Sequence, residues 1–329
     1  MLKLRNHIIT APALAPMAGF TDSAFRRLCR EHGAGLVFSE MISAKALCYG
    51  DRKTDLLCRC QPQERPLSFQ LFGNEPETMA QAAQMLCERS DGGPELIDLN
   101  MGCPVPKIVG SGGGSALLRE PKLAGEIVSA VVRRVRVPVS VKIRIGWDEE
   151  SRNAPELARR LEDCGAALIT VHGRTRDQMY TPPVNRAAIA DVCAAVRVPV
   201  IGNGDVTDVA SMRRMYEETG CALVMVGRGA LGNPLLFERL SAVSDGRPEP
   251  PEPTLLQRMQ ALQQLCEWTC EQKGERLGML ELRRHLPFFF RQLRGGAQWR
   301  RRSCCVSSRR ELEAIIADVL AANTVREEL

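Results

Sequence analysis

The feature that most constrains the fold is an alternation of short apolar runs with amphipathic segments. Eight runs rich in Val, Ile and Leu have the length of buried strands, at residues 13–19, 36–41, 67–73, 96–102, 139–146, 168–173, 200–205 and 223–229. Helical periodicity falls between them, at residues 22–32, 75–90, 120–135, 153–164, 186–196 and 207–218. Buried strands that alternate with helices are typical of parallel β/α units. Eight such units predict an α/β fold, a closed (β/α)8 TIM barrel.

An open, doubly wound sheet is the alternative arrangement, and two features disfavour it. A nucleotide-binding sheet of that kind often carries G-x-G-x-x-G after its first strand, and no such motif follows residue 19. The sequence VRVPV occurs at residues 135–139 and again at 196–200, each time leading into a strand. This faint repeat also favours the barrel.

The pattern changes after residue 240 and divides the chain into three parts. Residues 1–240 form the predicted barrel, and residues 241–253 include a proline-rich stretch that suits a linker. Thr254 is suited to cap a helix, and the pattern beyond it is helical. We therefore predict a small helical domain over residues 254–329.

Positive charge is concentrated in that helical domain. Residues 283–310 hold nine arginines and no Asp, Glu or Lys, although the formal net charge of the whole chain is only +5. Such a local excess is typical of a surface that meets a polyanion. Five of these residues are candidates for nucleic-acid contact: Arg283, Arg284, Arg300, Arg301 and Arg302.

The cysteines and the N-terminal sequence bear on the compartment. The 13 cysteines are scattered, and no C-x-x-C pair or Cys/His cluster has zinc spacing. We therefore expect reduced thiols and no metal. The first 19 residues contain no apolar run long enough for a signal peptide or a membrane span. We expect a cytoplasmic, monomeric protein without a membrane partner.

Glycine-rich loops follow the last two predicted strands. They read IGNGDV at residues 201–206 and VGRGALGNP at residues 226–234. Their glycines let backbone N–H groups approach an anion, and Arg228 adds a positive charge. Ordinary βα turns also use glycine, but the loops after strands seven and eight of a barrel are its usual phosphate site. We therefore predict phosphate binding here.

Polar side chains also occur where other strands end, at the rim that carries the active site of a barrel. They include Gln70, Asn100, Lys142, Arg144, His172 and Arg174. Lys142 and Arg144 share one face of the fifth strand and need an anionic or electron-rich partner. Turn and cap hydrogen bonds are a strong competing explanation for each amide, and a lone histidine is often structural. Together the set favours a flat, anionic, heteroaromatic ligand with a phosphate tail.

Cys103 follows the fourth strand at the same rim. Pro104 and Pro106 stiffen its loop, and the glycine-rich residues 110–118 then form a segment that we expect to move over the pocket. A thiol is mostly protonated at neutral pH and can donate a proton. A thiolate nucleophile, a metal ligand and inert packing remain alternatives from these residues alone.

Eight motifs in order resemble the bacterial branch of the tRNA-dihydrouridine synthases. They are LAPMAGFTDSAFR, SEMISAKAL, LSFQLFG, DLNMGCPVPK, VKIRIGW, TVHGRTRDQMY, VIGNGDV and VGRGALGNP. The likeness runs from about residue 12 to 240 and continues weakly into residues 282–285. NMGCP is its most diagnostic element.

The resemblance implies an FMN-bound barrel whose helical domain helps to bind tRNA. It implies that NADPH reduces FMN, that the reduced flavin delivers hydride to C6 of a uridine, and that Cys103 protonates C5. It further implies that Asn100 and Arg144 hold the uracil. Flavin contacts are implied for Pro16, Met17, Ala18, Gln70, Lys142, His172, Asn203, Gly204, Asp205, Gly227 and Arg228.

The chain departs from the family pattern in two places. Pro182-Pro183 and Arg186 stand where the family usually has a glycine and then a tryptophan, and Cys304-Cys305 has no counterpart. Two other functions compete with the one implied. An FMN barrel acting on a free pyrimidine, as in dihydroorotate dehydrogenase, would explain the phosphate loops but not the basic tail. A barrel that binds RNA without catalysis would leave Cys103, Lys142 and His172 unexplained.

Overall fold

The predicted barrel is confirmed by the computed structural model, which describes residues 1–291 and 293–323. A hairpin of β1 (Leu2–Leu4) and β2 (His7–Ile9) comes first. The barrel strands are β3 (Ala13–Leu14), β4 (Leu36–Ser43), β5 (Leu67–Phe72), β6 (Leu96–Met101), β7 (Val139–Arg144), β8 (Leu168–His172), β9 (Val200–Asn203) and β10 (Leu223–Val226). Each is parallel to its neighbours, and β10 pairs with β3 to close the ring.

Helices surround the strands, and six of them lie at the positions that the periodicity predicted. In the barrel they are α1 (Ser23–Glu31), α2 (Ala44–Cys48), α3 (Arg52–Leu57), α4 (Pro76–Cys87), α5 (Pro106–Gly110), α6 (Pro121–Arg134), α7 (Ala154–Asp163), α8 (Arg186–Ala195), α9 (Val209–Thr219) and α10 (Leu236–Ser244). Short 3₁₀ helices lie at Pro62–Glu64, Gly114–Arg119 and Arg228–Ala230. Asp22 caps α1 by accepting from the Phe25 N–H at 3.0 Å, and proline begins α4 and α6, as expected at helix starts.

The barrel interior is apolar at one end and polar at the other. At the N-terminal ends of the strands, Leu36, Leu96, Leu168 and Leu223 pack in one buried cluster. Because strand side chains alternate, positions two and four residues further along point inward as well. Those positions in β6 are Asp98 and Asn100, so polar groups lie toward the C-terminal rim. The barrel interior thus has an apolar, packed floor at the N-terminal ends of the strands and a polar rim at their C-terminal ends.

The N-terminal hairpin, which the sequence did not predict, closes the floor of the barrel. Leu2, Leu4 and Ile9 are at most 3% exposed and belong to the same buried cluster as the inward-facing leucines. Their strands have only three residues each, too short for a periodic pattern to stand out.

The segment after Cys103 is more ordered than its glycines suggest. We expected residues 110–118 to be a mobile flap, but α5 and the 3₁₀ helix Gly114–Arg119 occupy most of it. Ser115, Leu117 and Leu118 are buried. Gly112 and Gly114 allow close packing, because a Cβ at these positions would lie 2.7 Å from Asn74 Nδ2 and from the Cys103 carbonyl oxygen, respectively. The segment lines the rim as a wall, and its movement over the pocket stays a prediction.

Within the described residues, five helices follow the barrel, and the first of them packs against α1. They are α11 (Leu255–Lys273), α12 (Glu275–Leu282), α13 (Leu286–Phe289), α14 (Gly296–Ser303) and α15 (Arg309–Asn323). Thr254 caps α11 by accepting from the Gln257 N–H at 3.2 Å. The predicted linker begins late, because α10 continues to Ser244. Residues 324–329 of the predicted helical domain lie outside the described residues. None of the described helices is long and apolar enough to cross a membrane.

Contacts between the two domains surround the loop after β3. Lys273 on α11 donates to Asp22 at 2.5 Å and to Glu281 at 2.6 Å. The rings of Phe20 and Phe288 meet edge to face, with centroids 5.6 Å apart. The helical domain is therefore anchored beside the rim.

Candidate active site

Cys103 lies just past β6 on a loop that the protein holds from both sides. Its N–H donates to Asn100 Oδ1 at 2.9 Å, and its carbonyl accepts from the Ser115 N–H at 3.0 Å. A Cβ on Gly114 would lie 2.7 Å from that carbonyl oxygen, so only glycine lets the wall approach so closely. Burial raises the pKa of the half-buried Cys103 thiol, although nearby cations oppose the shift. At neutral pH this group is a proton donor.

Two predicted amides support this loop rather than facing the pocket separately. Asn100 accepts from the N–H groups of Gly102 and Cys103 and donates from Nδ2 to Gln70 Oε1 at 2.8 Å. Gln70, which is 1% exposed, donates from Nε2 to Asp98 Oδ2 at 2.6 Å. The structure therefore brings Asn100, Gln70 and Cys103 together through direct hydrogen bonds.

Lys142 is a cation of the barrel interior, held by a residue of β9, two strands away in the ring. Its Nζ donates to Asn203 Oδ1 at 3.0 Å, and Asn203 in turn donates from Nδ2 to the Met225 carbonyl at 3.0 Å. Burial and the positive charge of Arg144 lower the pKa of Lys142 to about 8, against the attraction of Asp98. Lys142 is therefore mainly protonated at neutral pH. The side chain of Asn203, a predicted phosphate contact, instead positions this lysine.

Arg144 finds its electron-rich partners in the backbone. Its Nε donates to the Gly102 carbonyl at 2.9 Å, and its Nη1 donates to the carbonyls of Thr175 and Met179 at 2.7 and 3.1 Å. Burial lowers its pKa to about 10, so it stays charged at neutral pH. Arg144 thus ties the Cys103 loop to the loop after β8.

His172 ends β8 as a neutral ring. It is 9% exposed, and its burial, together with the positive charges of Lys142 and Arg144, lowers its pKa well below the ordinary value. Arg174 Nη1 lies 3.4 Å from His172 Nε2. Because a guanidinium only donates, Nε2 is the acceptor and the ring proton lies on Nδ1. Nδ1 of His172 is thus a hydrogen-bond donor.

Arg174 has several partners within the protein, and its contact with substrate stays a prediction. It is 2% exposed, donates from Nε to the Pro182 carbonyl at 2.6 Å, and pairs with Asp205 at 2.5 Å. The Val184 N–H also donates to Asp205, at 3.0 Å. These contacts make Arg174 a support for the loop after β9. The acceptor at Pro182, one of the departures from the family pattern, is its backbone carbonyl, which any residue would offer.

The two glycine-rich loops touch each other and present backbone donors. A Cβ on Gly229 would lie 2.2 Å from the Val206 carbonyl oxygen, so these loops meet only because residue 229 is glycine. Gly204 has φ +132°, a conformation that disfavours other residues. Among residues 1–291 and 293–323, no acceptor pairs with the N–H groups of Gly204, Gly227 or Arg228. Free N–H groups at contacting loops suit an anion.

The loop of Pro16, Met17 and Ala18 faces the same region. The Met17 carbonyl accepts from the Phe20 N–H at 2.9 Å, and Thr21 Oγ1 accepts from the Met17 N–H at 2.9 Å, which fixes the turn. A Cβ on Gly227 would lie 3.9 Å from Met17 Sδ. The predicted flavin loop and the predicted phosphate loop are therefore neighbours.

Comparison with known proteins identifies the family to which this chain belongs. A family model described as dihydrouridine synthase matches residues 13–324. The chain belongs to the dihydrouridine synthase family. Similar proteins include a probable tRNA-dihydrouridine synthase of Rhodobacter capsulatus, 42% identical over 279 residues that cover 84% of this chain and 85% of the relative. The tRNA-dihydrouridine synthase B of Xanthomonas axonopodis pv. citri is 41% identical over 283 residues, covering 84% and 82%.

A more distant likeness concerns the fold of this family member alone. The solved structure of histamine dehydrogenase from Rhizobium sp. 4-9 matches 75% of this chain and 47% of its own, with a TM-score of 0.55 and 14% identity. At that identity the two proteins share a barrel architecture.

The basic tail of this dihydrouridine synthase family member divides into tied and free arginines. Arg283 donates to the carbonyls of Val306 and Cys305 at 2.8 and 3.2 Å, and Arg302 pairs with Asp318 at 2.8 Å. Arg301 is exposed and Arg300 is half-buried on the same helix, α14. Arg284 is also exposed, and its Nη1 lies 3.2 Å from the position of a Cβ on Gly19. Arg284 thus reaches the rim.

Sequence reasoning missed Asp98 and Ser140, which lie behind the predicted residues. Ser140 Oγ donates to Asp98 Oδ1 at 2.5 Å, and both side chains are fully buried. A single acid inside an apolar strand was the available signal. No group of three or more His, Cys, Asp or Glu residues that could hold a metal ion occurs within the part of the chain that the structure describes.

Proposed function

We propose that this protein is a tRNA-dihydrouridine synthase, which reduces the C5–C6 double bond of specific uridines in tRNA. The observation that carries the proposal is the pairing of a protonated thiol, Cys103, with a cation, Lys142, on one barrel rim of a dihydrouridine synthase family member. Relatives at 41–42% identity whose names state this activity support it.

We propose FMN as the cofactor and NADPH as its reductant. The free N–H groups of Gly204, Gly227 and Arg228 fit the phosphate of FMN, and Arg228, 52% exposed, adds charge. Lys142, His172 and Gln70 would contact the ring, and the loop of residues 16–18 would lie along it. Asp205 and Asn203 would support this site through Arg174 and Lys142 rather than bind the phosphate with their side chains. Bound FMN would supply hydride to C6 of the uracil.

The side chains of this chain supply the rest of the chemistry. Hydride addition at C6 builds negative charge toward C5 and O4 of the uracil. The Lys142 cation stabilises that charge, and Cys103 Sγ holds the proton that C5 receives. Asn100 and Arg144 shape the uracil pocket by fixing the Cys103 loop, with their remaining hydrogen-bonding capacity available to the base.

The substrate must reach a rim that lies inside a barrel mouth. A uridine in folded tRNA has to leave its stack to do so. The helical domain beside the rim would hold the tRNA backbone through Arg284, Arg300 and Arg301, a contact that favours RNA without reading its sequence. We propose that the protein acts in the cytoplasm as a monomer.

The test uses purified protein, anaerobic NADPH or NADH, and unmodified tRNA. We expect a bound flavin that mass spectrometry identifies as FMN, its reoxidation by tRNA, and dihydrouridine in the product. Free uridine and orotate serve as competing substrates. Reoxidation by a free pyrimidine at the tRNA rate would favour the dihydroorotate dehydrogenase-like function, and a protein without flavin would favour a non-catalytic RNA-binding barrel. Nucleoside mapping of tRNA from a deletion strain would then give the modified positions.

A further inference from the structure

Asp98 is a buried carboxylate whose partners lead to the reacting thiol. It is 0% exposed on β6, with Ser140 of β7 donating to Oδ1 at 2.5 Å and Gln70 of β5 donating to Oδ2 at 2.6 Å. Gln70 continues to Asn100 at 2.8 Å, and Asn100 Oδ1 holds the Cys103 N–H at 2.9 Å. We call this series of hydrogen bonds, from Asp98 through Gln70 and Asn100 to Cys103, the Asp98 relay.

A carboxylate at the start of the relay sets the direction of every bond in it. An ionised carboxylate only accepts, so Gln70 must turn its Nε2 toward Asp98. Its Oε1 then faces Asn100, which must present Nδ2. The carbonyl oxygen of Asn100 is thereby left for the two loop N–H groups. Without Asp98 both amides are free to flip together, and an N–H of Asn100 would then oppose the N–H of Cys103.

The charge environment supports an anchoring role. Burial raises the pKa of Asp98 to about 6, while the bonds from Gln70 and Ser140 and the charge of Lys142 oppose the shift. Lys142 thus supplies a positive charge that favours the ionised form of Asp98. Both carboxylate oxygens of Asp98 accept, from Gln70 Nε2 and from Ser140 Oγ, which is the pattern of an ionised acceptor.

We propose that Asp98 is a positioning residue, which aims the Cys103 thiol by fixing the orientation of the Gln70 and Asn100 amides. This inference rests on the proposed function for its kinetic consequence, because a misaimed thiol matters only if Cys103 is the proton donor. Its structural consequence, an ordered Cys103 loop, is independent of any reaction. The two consequences are measured separately.

The first experiment follows alkylation of Cys103 by iodoacetamide at pH 7.5, with mass spectrometry of the Cys103 peptide. It needs neither flavin reduction nor tRNA. We expect Asp98→Ala to be alkylated at least threefold faster than the wild type, because the loop loses its anchor. Ser68→Ala is the matched control, since Ser68 is a buried polar residue of the barrel interior whose hydroxyl has no partner among the described residues. It should react at the wild-type rate.

The second experiment measures flavin reoxidation by tRNA in single turnovers. We expect Asp98→Ala to be at least tenfold slower, with the KM for tRNA within twofold. Asp98→Asn should recover at least threefold over Asp98→Ala, because its carboxamide can still accept from Gln70 and donate to Ser140. If Asp98→Ala does not fold, Gln70→Leu cuts the relay one step nearer Cys103 and is tested by alkylation.

Two results would overturn the inference. One is a folded Asp98→Ala protein with wild-type alkylation and wild-type turnover. The other is an equal change in Ser68→Ala, which would indicate a general disturbance of the barrel interior. A wild-type protein that forms no dihydrouridine would instead refute the proposed function, and the alkylation comparison would still decide whether the relay orders the loop.

Discussion

The charge state of Lys142 gives a prediction about pH whose size follows from the structure. The pKa of Lys142 is lowered to about 8, so its cation is present below pH 8 and is lost as the pH rises. About nine-tenths of the molecules carry the charge at pH 7 and about one-tenth at pH 9. If the cation stabilises the transition state, the single-turnover rate falls about tenfold between these values. Stopped-flow absorbance of the flavin, with tRNA in excess, measures it.

Two substitutions distinguish the effect of Lys142 deprotonation on the rate from the effect of Cys103 deprotonation, which also occurs at high pH. Burial raises the pKa of the Cys103 thiol above its ordinary value of about 8.5. The thiol therefore loses its proton at a higher pH than Lys142 does. Lys142→Met should lower the rate about 10²–10³-fold at pH 7, the usual effect of removing one preorganised donor, and should abolish the fall near pH 8. In Lys142→Arg, which stays charged, the decrease in rate should occur at a higher pH.

An exposed lysine supplies the control for the Lys142 prediction, and two results would contradict that prediction. Lys122→Met changes an exposed lysine on α6 and should reproduce the wild-type profile. A wild-type rate that stays constant from pH 7 to pH 9, or a Lys142→Met protein that keeps the same fall near pH 8, would refute the assignment of the charge to Lys142.

Three further predictions concern other groups. Cys103→Ala should bind FMN and tRNA normally but form dihydrouridine about 10²–10⁴-fold more slowly. Cys193→Ala, on the outer helix α8, is the control. Near-normal turnover of Cys103→Ala would exclude the acid role. Replacing Arg300–Arg302 by Gln should weaken tRNA binding and flatten its salt dependence by about 0.7–0.9 in log–log slope for each phosphate that is no longer neutralised, whereas an unchanged slope would remove α14 from the interface. Burial lowers the pKa of His285 to about 4, so its contribution of about 3 kcal/mol to the free energy of unfolding should be present above pH 6.5 and lost as the pH falls toward 4. Denaturant titrations of wild type and His285→Phe at pH 7.5 and 4.5 should show a smaller loss in the variant.

The sequence was sufficient for the barrel because its signals are local. Each buried parallel strand is a short run rich in apolar residues, so eight units could be counted without tertiary information. The helices α1, α4, α6, α7, α8 and α9 also begin at a cap or a proline. The hairpin β1–β2 escaped because three-residue strands have no measurable period. The helical structure within residues 110–118 was not predicted, because glycine permits close packing as well as motion, and the close approach of Gly114 to Cys103 is visible only in the folded chain.

The candidate site was predictable as a set of residues but not as a set of contacts. Strand ends identified Gln70, Asn100 and Lys142 as rim residues, since parallel strands end at one edge. Their partners depend on register across the sheet, which no single strand encodes. Asp98 looked like one acid in an apolar strand until its neighbours placed Gln70 and Ser140 on either side.

Register also explains why the two central groups of the site depend on closure of the whole barrel. Lys142 on β7 is held by Asn203 on β9, two strands away, and Asn203 is held by the Met225 carbonyl on β10. Side chains from alternate strands meet across the interior only when the ring is closed and its stagger is fixed. The Asp98 relay runs the other way, through β5 and β6. The thiol and the cation are thus fixed by separate arcs of one ring, the thiol through β5 and β6 and the cation through β7, β9 and β10.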